Sequence, residues 1–217
     1  MPWQIRDLNI NDIIFLLKGA TVTIQLSAIA IILGLVLAII VGVLRTSKIK
    51  VFTGITRIYV EIFRGIPILV QIFLFYYGLR LLNIQLPALL SASMAFIFYF
   101  GAAAGETYKG ILEGIPKSQW ESSDSLGLGY IQKLRYVIIP QFVRTAIPPT
   151  MGIIVGVIKY TSLASIVGFV ELARVGAKVM SMTMNPFTTY PIVALIYFII
   201  CFPLTFYSKR LEKKLKR

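Results

Sequence analysis

The chain has 217 residues, of which 57% are hydrophobic and 14% charged, a formal net charge of +13 and a mean hydropathy of +0.81. A soluble domain carries about a quarter of its residues as charges, so this composition excludes an ordinary soluble enzyme and indicates an integral membrane protein. Histidine is absent and Cys201 is the single cysteine, which excludes an internal disulfide, a thiolate metal cluster and histidine acid–base chemistry.

The N-terminal MPWQIRDLNINDII has no basic leader region and no cleavage site, so no removable signal peptide is expected. Apolar runs follow at 13–44, 58–82, 86–105, 137–168 and 187–207. Each is long enough for a spanning helix, which needs ~20 residues. The first and fourth are longer and are expected to tilt, kink or extend past the bilayer. Small residues recur every fourth position at Gly34, Ala38 and Gly42, at Gly101 and Gly105, and at Gly152 and Gly156. Such faces let helix backbones approach closely in lipid. Pro148-Pro149 is expected to kink or break the fourth run. Between the fourth and fifth runs, GFVELARVGAKVMSMTMNPF reads as a short amphipathic surface helix. Leu172, Val175, Val179 and Met182 form its apolar face, Glu171, Arg174 and Lys178 fall elsewhere, and Asn185-Pro186 ends it.

Five spans put the termini on opposite sides, and charge selects the orientation. With the N-terminus outside, the inner segments 45–64, 105–144 and 208–217 hold sixteen of the 22 lysines and arginines. The positive charge is thus explained by cytoplasmic retention of basic loops, and no nucleic-acid partner is expected. The whole of 1–217 reads as one transmembrane domain, N-terminus outside and C-terminus cytoplasmic.

One inner segment is unusual. ESSDSLGLGYIQKLRYVIIPQ, residues 121 to 141, interrupts the oily chain with a polar stretch. Ser118 and Glu121 have the spacing of a capping box, Pro116 stops an earlier helix, and Gly127 and Gly129 offer C-terminal stops. These features predict a separate helix over about 118–126, with small exposed side chains apart from Trp120 and Leu126. Small residues permit close approach of a partner, and a tryptophan can anchor it.

The stretch resembles the EAA motif of the membrane subunits of ATP-binding-cassette (ABC) importers. That motif reads E-A-A, three residues, G, nine residues, I-x-L-P. Here Glu121, Ser122 and Ser123 stand for E-A-A, Gly127 for the glycine, and Val137, Ile139 and Pro140 for the end. GATVTIQLS (19–27), YVEIFRGIPILVQIFLFYYGL (59–79), GILEGIPKSQWES (110–122) and KYTSLASIVGFVEL (159–172) are similar to the polar amino acid permease branch. The chain departs from that branch at Tyr160, where aspartate or asparagine is frequent. It departs again at Tyr99-Phe100, ahead of Gly101. Both departures bear on which substrate is carried rather than on the family.

The resemblance implies a type I importer fold with five transmembrane helices in a bacterial plasma (inner) membrane. It implies that the helix bearing Ser118, Trp120, Glu121, Ser122, Ser123 and Gly127 is a coupling helix docked on a cytoplasmic ATPase. Two ATPase copies would bind ATP and magnesium, with no cofactor or metal in this chain. A second permease subunit (a second copy or a close paralogue) would complete the path. An extracytoplasmic binding protein would deliver a polar amino acid, with arginine, lysine or histidine preferred. The chain has no G-x-x-x-x-G-K-[ST] sequence, so ATP hydrolysis belongs to the partner and the chain is not itself an enzyme.

Polar groups inside spans are costly and therefore candidates for the substrate path. These are Gln71, Ser93, Tyr99, Glu106, Lys159, Tyr160, Thr161 and Ser162. Lys159 either binds a substrate carboxylate, or snorkels to the interface or pairs structurally. Glu106 either attracts a cationic substrate or pairs with Lys109, and Glu61 pairs with Arg64 three residues on. An ion-coupled secondary transporter or a channel would also account for the spans, but not for the EAA spacing. An intramembrane enzyme would need a nucleophile–base pair or metal ligands that the spans lack.

Overall fold

The computed structural model describes residues 5–215, and every regular element in them is helical. Helix α1 (Ile10–Arg45) opens on a reciprocal cap. Asp12 N donates to Asn9 Oδ1 at 2.9 Å, and Asn9 N donates to Asp12 Oδ2 at 2.9 Å. Arg6 then pairs with Asp12 at 2.9 Å.

The second apolar run is not one straight helix. It forms α2 (Lys50–Gly65) and α3 (Ile68–Tyr76), continued by a 3-10 turn, Gly78–Leu82, with a bend of 104° between the two halves. The cause is local. Pro67 supplies no N–H and forces Ile66 out of the helical region, to φ −90° and ψ 130°.

Helix α4 (Ala88–Glu113) follows, and then the predicted polar helix appears as α5 (Lys117–Ser125). A short α6 (Tyr130–Lys133) and a π turn, Leu134–Ile138, lead into α7 (Ile139–Tyr160) and a 3-10 segment, Thr161–Val167. Pro148 and Pro149 lie inside α7 without breaking it. Next to them, Thr150 Oγ1 and Tyr108 OH of α4 are hydrogen-bonded at 3.0 Å, and Ser208 of α9 donates to Pro148 O at 3.1 Å. Neighbouring helices thus hold the backbone in place across the prolines. The chain ends with α8 (Leu172–Thr183) and α9 (Pro186–Leu215).

Four segments are long and apolar enough to cross a membrane: α1, α4, the continuous 130–167 unit and α9. The bent α2–α3 pair makes a fifth if it acts as one broken span. Helix α4 is the centre of the bundle, with 56% of its span buried, whereas α9 is peripheral at 17%.

The most extensive seam joins α1 to α4, and the glycine pattern explains it. A Cβ on Gly34 would lie 2.8 Å from Phe100 Cβ, and one on Gly105 would lie 2.6 Å from Val41 Cγ1. Two of the three small-residue faces therefore meet each other. The third does not: Gly152 faces nothing within 4 Å, and Gly156 meets only Tyr160, at 3.7 Å. Replacing Gly105 by leucine should overpack the seam at a cost of about 1–3 kcal/mol. Its unfolding midpoint in detergent should fall, while Gly110→Ala, at a site with open space, should match the parent. Equal midpoints for both variants would contradict this seam.

Helix α8 has its predicted apolar face, with Leu172, Val175 and Val179 buried against α1 and α9. Met182 is exposed instead, and Thr183 takes the buried position. Met184 adopts a left-handed conformation (φ 52°) and ends the helix, so that α9 starts at Pro186.

Candidate functional site

Helix α5 begins one residue earlier than expected. Pro116 occupies the N-cap position with φ −57° and ψ 139°, which places Ser118 inside the helix, where it makes no cap. The Ser118–Glu121 capping box therefore does not form. A proline already fixed in φ starts the helix by itself, and its carbonyl accepts the N–H of Gln119 at 3.0 Å.

The other end follows the expected chemistry. Gly127 has φ 69°, Gly127 N donates to Asp124 O at 2.9 Å, and Leu128 N donates to Ser123 O at 3.2 Å. Both bonds of a Schellman turn are present. Gly129 is not a second stop. At φ −65° it precedes α6, and its N–H donates to Gln132 Oε1 at 2.9 Å.

One face of α5 is fastened to its own chain. Ser123 is buried and donates to Trp120 O at 2.6 Å, so it is not on the outward face as expected. Asp124 pairs with Lys133, and Gln141 of α7 donates to Gln119 Oε1 at 3.1 Å. Trp120 is only half-exposed, so it is a weaker anchor than predicted. The outward face shows Ser118, Glu121, Ser122 and Gly127, with Leu126 at 77% exposure as its apolar tip. A rigid polar helix with one apolar tip, fixed to the base of α7, can pass a push from a docked partner to that span.

The intramembrane candidates fall into separate groups. Tyr99 of α4 and Tyr160 of α7 meet edge to face, with ring centroids 5.6 Å apart. Lys159 and Ser162 line a different groove, about 520 Å³ in volume, with Tyr197, Phe198, Cys201, Phe202 and Thr205 of α9. Lys159 is exposed and makes no ion pair among the described residues. Thr161 is fully buried and donates to Ile158 O at 2.7 Å.

Gln71 does something the sequence did not suggest. Its Nε2 donates to Phe63 O and Ile66 O, both at 2.8 Å, so it caps the open end of α2 at the bend. Gln71 Oε1 and Ser93 Oγ are buried without a hydrogen-bond partner among the described residues. Glu106 is held by Arg45 at 2.5 Å and lies 4.0 Å from Lys109. Its main partner thus comes from α1. Glu61 pairs with Arg57 at 2.7 Å rather than with Arg64, one full helical turn being the better reach.

The residue that sequence reading missed is Glu171. It falls off the apolar face of α8, yet it is fully buried. Its carboxylate caps α8, accepting from Ala173 N at 2.9 Å and Arg174 N at 2.8 Å. It also accepts from Tyr197 OH of α9 at 2.7 Å and Thr23 Oγ1 of α1 at 3.4 Å. The available signal was its position directly before an apolar helical face, which is where a cap belongs. Among the described residues, no group of three or more acidic or cysteine side chains is placed to hold a metal.

Residues 10–217 match the family described as the binding-protein-dependent transport system inner membrane component. The chain belongs to this family. It is 31% identical over 207 residues to a probable amino-acid ABC transporter permease, YckA, of Bacillus subtilis (strain 168), covering 95% of this chain and 92% of that one. It is 34% identical over 218 residues to the L-cystine transport system permease TcyB of the same organism, covering 100% and 92%. The crystal structure of an amino acid ABC transporter with histidines superposes with a TM-score of 0.86 at 25% identity, covering 96% of this chain and 99% of that one. The inward facing MetNI methionine ABC transporter shares the fold, with a TM-score of 0.78 at 19% identity, over 97% and 100% of the two chains.

The protein is therefore the permease subunit of an ABC importer for polar amino acids, a multi-pass protein of the plasma membrane. ATP hydrolysis resides on a separate subunit, and the permease is not an enzyme. The fold is that of the type I importers.

Proposed function

We propose that α5 is the coupling helix of this permease and that two ATPase subunits, binding ATP and magnesium, dock on it and on its counterpart in a second permease subunit. The observation that carries this is a separate nine-residue helix. It is pinned to α7 on one face and leaves Ser118, Glu121, Ser122 and Leu126 free on the other. The bent α2–α3 pair counts as the remaining span, so the termini lie on opposite sides, the N-terminus outside and the C-terminus in the cytoplasm. The sixteen basic residues of the inner segments support that orientation. An extracytoplasmic binding protein delivers the amino acid to the other face.

In this reading Lys159 binds the substrate carboxylate. It makes no ion pair among the described residues and lies in a groove within the span, and Ser162 and Thr205 beside it offer hydroxyls. Tyr99 and Tyr160 form a second polar point on the path. Among polar amino acids a basic one is placed first. One relative, 27% identical over 95% of this chain, is the Bacillus subtilis arginine transport permease ArtQ. Glu106 does not contribute to that choice, because Arg45 occupies it.

The test is to copurify the tagged permease with its ATPase, reconstitute the complex with its binding protein and run a panel of amino acids. ATPase activity should rise with one polar amino acid. Lys159→Met should raise the half-saturating substrate concentration about ten- to a hundredfold, the worth of one charged hydrogen bond. The maximal ATPase rate should stay close to the parent. An unchanged half-saturation would remove Lys159 from the path, and a permease with no ATPase partner would overturn the docking role of α5.

A further inference from the structure

We propose that the pocket where α1, α2 and α4 meet at their basic ends holds the phosphodiester head of an anionic phospholipid. The pocket, about 530 Å³ in volume, is lined by Arg45, Lys50, Thr53, Gly54, Arg57, Glu61 and Lys109. It carries four cations and one carboxylate, Glu61, which is paired with Arg57 at 2.7 Å. Glu106 is committed to Arg45, and Glu113 lies 3.6 Å from Lys109. Those carboxylates leave Lys50 without an acidic partner among the described residues and Arg45 Nε without an acceptor.

The opening of α2 reinforces the positive field. No side chain caps it, no acidic residue lies in its first turn, and Lys50 is its first residue. The positive end of the helix dipole and its free N–H groups are therefore unopposed, as at helix ends that bind phosphate. Gly54 leaves the floor open, since a Cβ there would meet nothing within 4 Å.

The neighbouring surface selects a lipid over a soluble anion. Val51, Ile55, Ile58 and Ile62 are 64%, 62%, 61% and 47% exposed. At 100° per residue they form a ridge about a third of a turn from the Lys50–Arg57–Glu61 line. A ligand with a phosphate head and acyl chains satisfies both stripes at once, head in the pocket and tails along the ridge. Basic pockets between spans on the cytoplasmic side are suited to such heads. The placement of this end in the inner leaflet rests on the orientation proposed above.

The experiment uses the intact complex of permease and ATPase, purified from mixed phosphatidylglycerol and phosphatidylethanolamine, with bound lipid read by native mass spectrometry. The parent should retain phosphatidylglycerol in preference, and the double variant Lys50→Gln/Arg57→Gln should lose it roughly tenfold or more, at two surface cations removed. Lys178→Gln, on α8, should retain it. Equal retention of both lipids by the parent, or undiminished phosphatidylglycerol in the double variant, would overturn the site. So would saturable binding of inorganic phosphate by the lipid-free complex with no lipid retained, or loss of the ATPase instead of lipid in the double variant. Amino-acid-stimulated ATPase activity in purely zwitterionic liposomes reads the transport function separately, so failure of the lipid site and failure of the importer reading give different results.

Discussion

The Gly127→Trp permease is expected to insert and assemble but to lose ATP-driven uptake by more than about tenfold, the scale of one blocked interface anchor. Gly127 closes α5 with φ 69°, a conformation that costs an L-residue roughly 1–2 kcal/mol. A Cβ at this position meets nothing within 4 Å, so the indole would project away from its own chain. It would stand beside Leu126 and Ser122 on the outward face, where close approach is needed. Strain and bulk are separable. Gly127→Asn tolerates the left-handed conformation and adds little volume, so it should keep most of the uptake. Gly127→Ala bears the strain alone and should fall between the two. Uptake in liposomes, normalised to permease in the membrane, reads the series. Full uptake by the tryptophan variant would mean that no partner docks on this face.

The parts of the fold that could be read in advance were those governed by long stretches of apolar composition. Hydropathy located α1, α4, α7 and α9, and small-residue spacing marked the Gly34–Ala38–Gly42 and Gly101–Gly105 faces, but not that these two meet each other while the Gly152–Gly156 face meets no neighbouring helix. The bend between α2 and α3 escaped, although Gly65-Ile66-Pro67 marks it, because a hydropathy average runs straight across a backbone break. Pro148-Pro149, read as a kink or a break, does not interrupt the packed helix α7. In the candidate site, the proline before it and the glycine after it located α5 to within a residue at either end, although the capping box expected at Ser118 does not form. Which of its serines faces outward depended on tertiary packing, and the chain buries Ser123 rather than Ser122. Spacing along one helix could not supply cross-helix partners either. Arg45 reaches Glu106 from 61 residues away, and Gln71 reaches back eight residues to close α2.

Glu171→Ala should produce the largest loss of stability of any single change at the end of the bundle opposite α5. The alanine removes the acceptor for two backbone N–H groups, the Tyr197 hydroxyl and the Thr23 hydroxyl. A lost cap costs about 1 kcal/mol, and each buried donor left unpaired costs about 1–3 kcal/mol. Tyr197 and Thr23 can turn to other acceptors, so the net loss should be about 3–5 kcal/mol, as for other broken buried charge networks. Glu171→Gln keeps Oε1 for the Arg174 N–H but puts an amide where Oε2 accepts from Ala173 N and the Tyr197 hydroxyl, and should cost about 1–3 kcal/mol. The unfolding midpoint of the detergent-purified permease should therefore fall in the order parent, glutamine, alanine. The consequence reaches function because α8 leaves the 3-10 segment Thr161–Val167 through Gly168, at φ 86°, and Glu171 fixes where that exit points. Tyr197 of the same network also lines the Lys159 groove. In liposomes the alanine variant should accordingly lose amino acid uptake below the temperature at which it unfolds. An alanine variant as stable and as active as the parent would show that the buried carboxylate neither holds α8 in place nor supports the groove beside it.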